Sequence, residues 1–198
     1  MAKTVEFYFD VGSPASYLAW TQLPGICARE GASLVFKPML LGGIFQATGN
    51  ASPAAIPAKG RYTTIDFQRY ARRYDVPFRF NPHFPINTLN LMRADIGVQI
   101  RHPERFETML AALFKALWVD GVNLNLPEGV AATVIGAGFS LEEIQALISD
   151  PQIKSALKDN TDQALGRGVF GAPTMFVGDE MFFGQDRLDF VMEALAEA

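Results

Sequence analysis

The sequence predicts an α/β fold with an all-helical insertion after its second strand, and three observations carry that expectation. A short apolar run at residues 5–11 passes straight into a helix start at Ser13-Pro14. A second short strand pattern at 32–38 follows that helix, and strand chemistry then disappears until Ala172. In between, most of the apolar residues recur at the period of a helix.

The first strand is brief, rich in β-branched and aromatic residues, and bounded by the turn signal Asp10-Val11-Gly12. Ser13 has the chemistry of an N-cap, and Pro14 suits a first helical position, where a missing N–H costs nothing. The helical pattern continues through Leu18, Leu23, Ile26 and Cys27 to Gly31, a C-cap, and Pro24 within it is expected to kink the helix rather than end it. Cys27 falls on the buried stripe and reads as an inert core thiol. With residues 32–38 these elements form a βαβ unit, whose crossover should be right-handed.

Residues 39–59 are rich in small residues, glycine and proline without a sustained period, and read as a long ordered loop of the kind that carries function. Phe67, Tyr70, Ala71 and Tyr74 then mark a helix face opposite Arg69, Arg72 and Arg73. Residues 77–87 form a proline-broken loop, and a helix starting near Asn87 carries Leu91, Met92 and Ile96. The strongest pattern is 103–119, where Phe106, Met109, Leu110, Leu113, Phe114 and Leu117 make one apolar stripe that reads as core. Residues 127–137 are a further helix. Ser140 and Glu143 form a capping box, and Asp150-Pro151 opens a helix ending near Gly166 or Gly168. Residues 172–177 and 180–183, joined by Gly178-Asp179, read as an antiparallel hairpin, after which Asp186 caps a terminal helix.

Removing the helical block leaves β-α-β-α-β-β-α, so the fold class is a thioredoxin-like fold with the insertion after the second strand. The expected division is a discontinuous thioredoxin-like unit, 1–40 with 150–198, and an insertion at 41–149. The chain is 49% hydrophobic and 19% charged, enough for a core and against disorder. A net charge of −4 argues against a nucleic-acid surface, and the single cysteine excludes an internal disulfide, a CxxC centre and a multi-cysteine zinc site. No metal centre is expected, because His83 and His102 are the only histidines and no carboxylates are spaced to join them. No apolar run approaches the roughly 18 residues that cross a bilayer, and no membrane association is expected. The first residues enter the strand without an apolar leader, so the expected compartment is cytoplasmic.

Two motifs carry the chemistry. Ser13-Pro14-Ala15-Ser16 has the outline of the C-P-x-C centre of thioredoxin-fold oxidoreductases with both sulfurs replaced by oxygen. The strand-to-helix turn sets Ser13 among unpaired N–H groups at the positive end of a helix, a place for an anion; the geometry suggests a thiolate supplied from outside. The plainer reading is a helix cap. The second motif is Gly171-Ala172-Pro173-Thr174 entering a strand. A cis bond at Pro173 would turn the backbone of Ala172 toward Ser13 to pair with an extended peptide. Its plainer reading is an ordinary proline at a strand start.

At residues 7–19 (FYFDVGSPASYLA), 37–50 (KPMLLGGIFQATGN) and 168–191 (GVFGAPTMFVGDEMFFGQDRLDFV) the chain resembles the 2-hydroxychromene-2-carboxylate isomerases. These are relatives of kappa-class glutathione transferases within the DsbA-like thioredoxin superfamily. The resemblance implies a glutathione-dependent isomerase of aromatic-compound catabolism, a homodimer, with an aromatic carboxylate as substrate. It implies that Ser13 contacts the glutathione sulfur, that Ala172 beside Pro173 pairs with the cysteinyl part, and that Phe183, Gly184, Gln185 and Asp186 hold the γ-glutamyl end. Substrate contacts are implied at Lys37, Asn50 and Asn87. Each of these has a plainer reading: Lys37 as a strand-end charge, Asn50 as a turn residue, Asn87 and Asp186 as N-caps. Two rivals share the same motifs, a transferase that conjugates electrophiles and a redox-inactive thioredoxin-fold binding module.

Overall fold

In the computed structural model, which describes residues 3–197, four strands form one mixed sheet in the order β2-β1-β3-β4. β1 (Thr4–Phe9) runs parallel to β2 (Ser33–Pro38), with Tyr8 opposite Lys37. β3 (Thr174–Val177) is antiparallel to β1 and to β4 (Glu180–Phe183), the expected hairpin. The pleat sends Val5, Phe7 and Phe9 to one face and Tyr8 to the other. Phe7 and Phe9 are fully buried and stack with centroids 5.1 Å apart.

α1 (Pro14–Glu30) covers the Phe7/Phe9 face together with α9 (Leu188–Glu197). It runs through Pro24 and stops at Gly31, whose φ of 64° is the left-handed conformation of a C-cap. Cys27 is buried within it, and burial pushes its thiol up. The helices between β2 and β3 are α2 (Leu41–Thr48), α3 (Pro57–Arg73), α4 (Leu89–Arg101), α5 (Phe106–Lys115), α6 (Pro127–Gly136), α7 (Leu141–Ser149) and α8 (Pro151–Gly166). Buried residues of α4, α5, α6 and α7 join the same hydrophobic cluster as Phe7 and Phe9. α2 and α8 close the other face over a smaller cluster of Tyr8, Met39, Ile44, Ala164, Val169 and Phe176. No single helix among the described residues is long and apolar enough to cross a membrane.

Several expectations are corrected here. Residues 39–59 are not a loop: α2 fills their centre and α3 begins at Pro57. Gly42-Gly43 lowers intrinsic helix propensity, and Ile44 is the one α2 residue fully buried, so no sequence period announces the helix. Contact with α8 holds it instead. The first turns of α3 are exposed, which hid its start in the same way. The 103–119 stripe is divided into a 3₁₀ turn, α5, and a π-helical turn at Ala116–Asp120 ending at Gly121. The Ala172 strand begins at Thr174. Asp186 lies inside a 3₁₀ turn, Gln185–Arg187, and pairs with Arg187 instead of standing ahead of the terminal helix. The caps at Ser140 and Asp150 are present, accepting from Glu143 N and Gln152 N at 3.1 and 2.8 Å. The box at Ser140 is one-sided, because the Glu143 carboxylate pairs with Arg105.

Candidate active site

The turn between β1 and α1 is built by one buried carboxylate. Asp10 Oδ1 accepts from Gly12 N at 2.8 Å, and Oδ2 accepts from Leu41 N and Thr88 Oγ1, each at 2.9 Å. Leu41 is the first residue of α2, and Thr88 immediately precedes α4. Residues at the openings of α1, α2 and α4 therefore converge on Asp10, and Ser13, as the N-cap of α1, stands at the positive end of that helix. Burial pushes the Asp10 carboxyl up, and the three hydrogen bonds oppose that rise. The turn is gripped again at Val11, whose carbonyl accepts from Trp118 Nε1 at 2.8 Å and whose N–H donates to Met92 Sδ at 3.3 Å. Gly12 leaves no room for a side chain, since an added Cβ would lie 2.7 Å from Thr88 Cγ2.

Ser13 is 5% exposed, and its Oγ accepts from Ser16 N at 3.1 Å, so the cap expected from sequence exists. The same hydroxyl donates to the carbonyl of Ala172, also at 3.1 Å. The Ala172–Pro173 bond is cis. The two halves of the sequence argument, 159 residues apart, thus meet in one hydrogen bond. Because a hydroxyl carries a single proton, a ligand atom that takes it displaces the Ala172 carbonyl, which then becomes free to accept from the ligand.

The 183–186 segment flanks this point. Gly184 N donates to Pro173 O at 3.0 Å, and the half-exposed Phe183 ring packs on Phe170 with centroids 4.6 Å apart. Gly184 has φ of 96°, and an added Cβ there would meet Asp186 Oδ1 at 2.5 Å, so this position admits only glycine. Gln185 is buried, and its carbonyl accepts from Tyr74 Oη at 2.5 Å. Burial pushes the Tyr74 hydroxyl up to about 12, which keeps it a donor through the neutral range. α3 is thereby tied to the site, a connection the helix pattern of Tyr70 and Tyr74 did not reveal.

Asn50 reaches the same region: its Nδ2 donates to Phe170 O at 2.8 Å, two residues before Ala172, while its Oδ1 accepts from Ala51 N as a turn residue does. Asn87 stands one residue ahead of Thr88, the N-cap of α4; its Oδ1 accepts from Leu89 N at 3.2 Å, and it lines a cavity of about 900 Å³ between α4, α6 and α7. Lys37 projects from the sheet face opposite α1, where its amine lies 3.4 Å from Gln163 Oε1 and 3.8 Å from Glu6 Oε1. Arg167 also pairs with Glu6, at 2.5 Å.

Sequence reasoning missed Asp10, although Asp-x-Gly after a strand is a signal for a side chain that bonds the backbone two residues on. It also missed Asp95, which is fully buried on α4 with neither carboxyl oxygen hydrogen-bonded among the described residues. Burial raises the Asp95 carboxyl well above the usual range, and the Asp10 charge adds to the effect.

A helix N-terminus facing a cis-proline loop across the end of a mixed sheet defines a thioredoxin-fold site. Residues 4–196 match the DSBA-like thioredoxin domain, and the chain belongs to that family, in the group formed by 2-hydroxychromene-2-carboxylate isomerases and kappa-class glutathione S-transferases. It is 30% identical over 199 residues to 2-hydroxychromene-2-carboxylate isomerase of Sphingobium xenophagum, covering 100% of both chains. Against glutathione S-transferase kappa 1 of Homo sapiens it is 30% identical over 209 residues, covering 100% of this chain and 92% of that one. A solved 2-hydroxychromene-2-carboxylate isomerase superposes with a TM-score of 0.82 at 30% identity, over 98% of this chain and 95% of the other.

Proposed function

We propose that this protein is a glutathione-dependent enzyme that isomerises an aromatic carboxylate, 2-hydroxychromene-2-carboxylate to trans-o-hydroxybenzylidenepyruvate or a related pair. The observation that carries the reading is the Ser13 hydroxyl at the N-terminus of α1, 3.1 Å from the carbonyl that precedes cis-Pro173. Relatives bearing the names isomerase and glutathione S-transferase over the full chain support it.

The residues fit glutathione by their donor set. The Ser13 hydroxyl can turn from Ala172 O to a sulfur, and the backbone edge of Ala172 can pair with a cysteinyl unit. Asp186, beside the Gly184 turn, offers a carboxylate to an α-amino group if it exchanges its contact with Arg187. When bound, glutathione supplies a thiolate that adds reversibly to a conjugated double bond, which permits rotation, and it leaves unconsumed. Ser13 and the N-terminus of α1 lower the thiol's pKa from about 8.5 by favouring its charged form. Serine donates this hydrogen bond without forming a disulfide. Asp10 holds the turn that aims the hydroxyl. In the same proposal the enzyme is a cytoplasmic homodimer of aromatic-compound catabolism, with 41–149 an insertion into a thioredoxin-like unit of 1–40 and 150–198.

A second reading, irreversible conjugation of electrophiles, is favoured by the position of Lys37. Its amine faces Glu6 and Gln163, so the cation proposed for the substrate carboxylate already has a carboxylate beside it. The test is to follow 2-hydroxychromene-2-carboxylate with catalytic glutathione. Turnover beyond one equivalent of glutathione supports isomerisation, whereas consumption of glutathione mole for mole supports conjugation. Failure of calorimetry to detect glutathione binding would overturn both.

A further inference from the structure

We propose that the trough between α2, α4 and α8 is a second binding site, for a small monocarboxylate with an apolar body. The trough is a cavity of about 730 Å³, within the range of small-molecule sites. None of its lining residues belongs to the 10–13 turn, the Ala172-Pro173 loop or the 183–186 segment. Its apolar lining comes from Leu40, Leu89, Leu157 and Leu165. Thr161 is the buried polar residue among the lining, and its hydroxyl is already satisfied, accepting from Leu40 N at 3.0 Å and donating to Leu157 O at 2.7 Å. The buried part of this surface therefore favours an apolar body.

The charges around that lining specify the other end of the ligand. Arg93 enters from α4, and Lys154 and Lys158 from α8. The acid among the lining residues, Asp162, pairs with Lys158. Arg93 and Lys154 form no ion pair among the described residues; the Arg93 guanidinium donates only to the neutral Asn90 Oδ1, at 3.4 Å. Arg93 is half-buried, so its charge is partly desolvated without a counter-charge. A guanidinium with free donors matches a carboxylate in a paired geometry. One anionic group beside an apolar body of aromatic size complements both features.

The probe is 2-naphthoate, with 2-naphthalenemethanol as its neutral counterpart, titrated calorimetrically into the full chain. Arg93→Gln should weaken 2-naphthoate by roughly 10- to 100-fold, the effect of losing one charged hydrogen-bonding partner, and Arg93→Lys should recover part of it. The alcohol should bind more weakly than the acid and respond little to either change. Ala47→Trp, at an exposed position on the trough wall, should block both probes by filling the space. Unchanged 2-naphthoate affinity in folded Arg93→Gln and Ala47→Trp proteins, verified by thermal melts, would overturn the proposal. So would absence of 2-naphthoate binding to the parent. Neither result bears on Ser13, whose reading is tested with glutathione.

Discussion

Asp10 and Asp95 are two aspartates buried in the same molecule, and they stand at opposite ends of hydrogen-bond satisfaction. Asp10 accepts from three donors drawn from the turns that open α1, α2 and α4. Asp95, on α4 itself, has none for either oxygen among the described residues. Burial raises both carboxyls, but only Asp10 has bonds that pull it back. The difference teaches what each does. The satisfied carboxylate organises the turn bearing Ser13, whereas at the unsatisfied one burial favours the protonated form, since an unpaired buried charge is costly.

The largest test of this contrast is Asp10→Ala. It strands Gly12 N, Leu41 N and the Thr88 hydroxyl, and at about 1–3 kcal/mol per buried orphan, partly relieved by relaxation, the loss should be about 3–5 kcal/mol. Urea unfolding measures it, and a loss below about 1 kcal/mol would mean that water replaces the carboxylate.

Asp95→Asn should act in the other direction and depend on pH. The folded state keeps the Asp95 proton more tightly than the unfolded chain, so its contribution is fully present below the unfolded pKa of about 3.9. That contribution falls as pH rises toward the raised folded value. The variant should therefore gain on the parent across that window, by about 1.4 kcal/mol per unit of displacement. Parallel stability–pH curves for the two proteins would show that Asp95 is not a buried neutral acid.

Ser13→Ala removes a cap and should cost about 1 kcal/mol of stability. In the proposed enzyme it also raises the pKa of bound glutathione by about one to two units, read from thiolate absorbance, with turnover at neutral pH falling accordingly. An unchanged pKa and turnover would leave Ser13 as a cap alone. The smallest effect belongs to Ser16→Ala. The Ser16 hydroxyl is buried without a hydrogen-bond partner among the described residues, so its removal should change stability by less than about 1 kcal/mol and leave the thiol pKa in place. A selective loss of activity there would transfer the role from Ser13 to Ser16.

What the sequence determined by itself is what neighbours along the chain decide. The strand–turn–helix at Ser13-Pro14, the caps at Ser140 and Asp150, the Gly178-Asp179 hairpin and the proline at the head of β3 all rest on short-range chemistry. The fold class followed from their order. Tertiary structure decided the rest, because partners distant in sequence supply the energy. α2 forms over Gly42-Gly43 only because α8 packs on it and Asp10 binds its first N–H. Lys37 reads as a free strand-end cation, yet Glu6 and Gln163 meet it on the far face of the sheet. Asp10 reads as a turn residue until the donors of Leu41 and Thr88, 31 and 78 positions away, arrive. A local pattern names the groups that need partners, and only the packed chain brings distant partners within hydrogen-bonding distance.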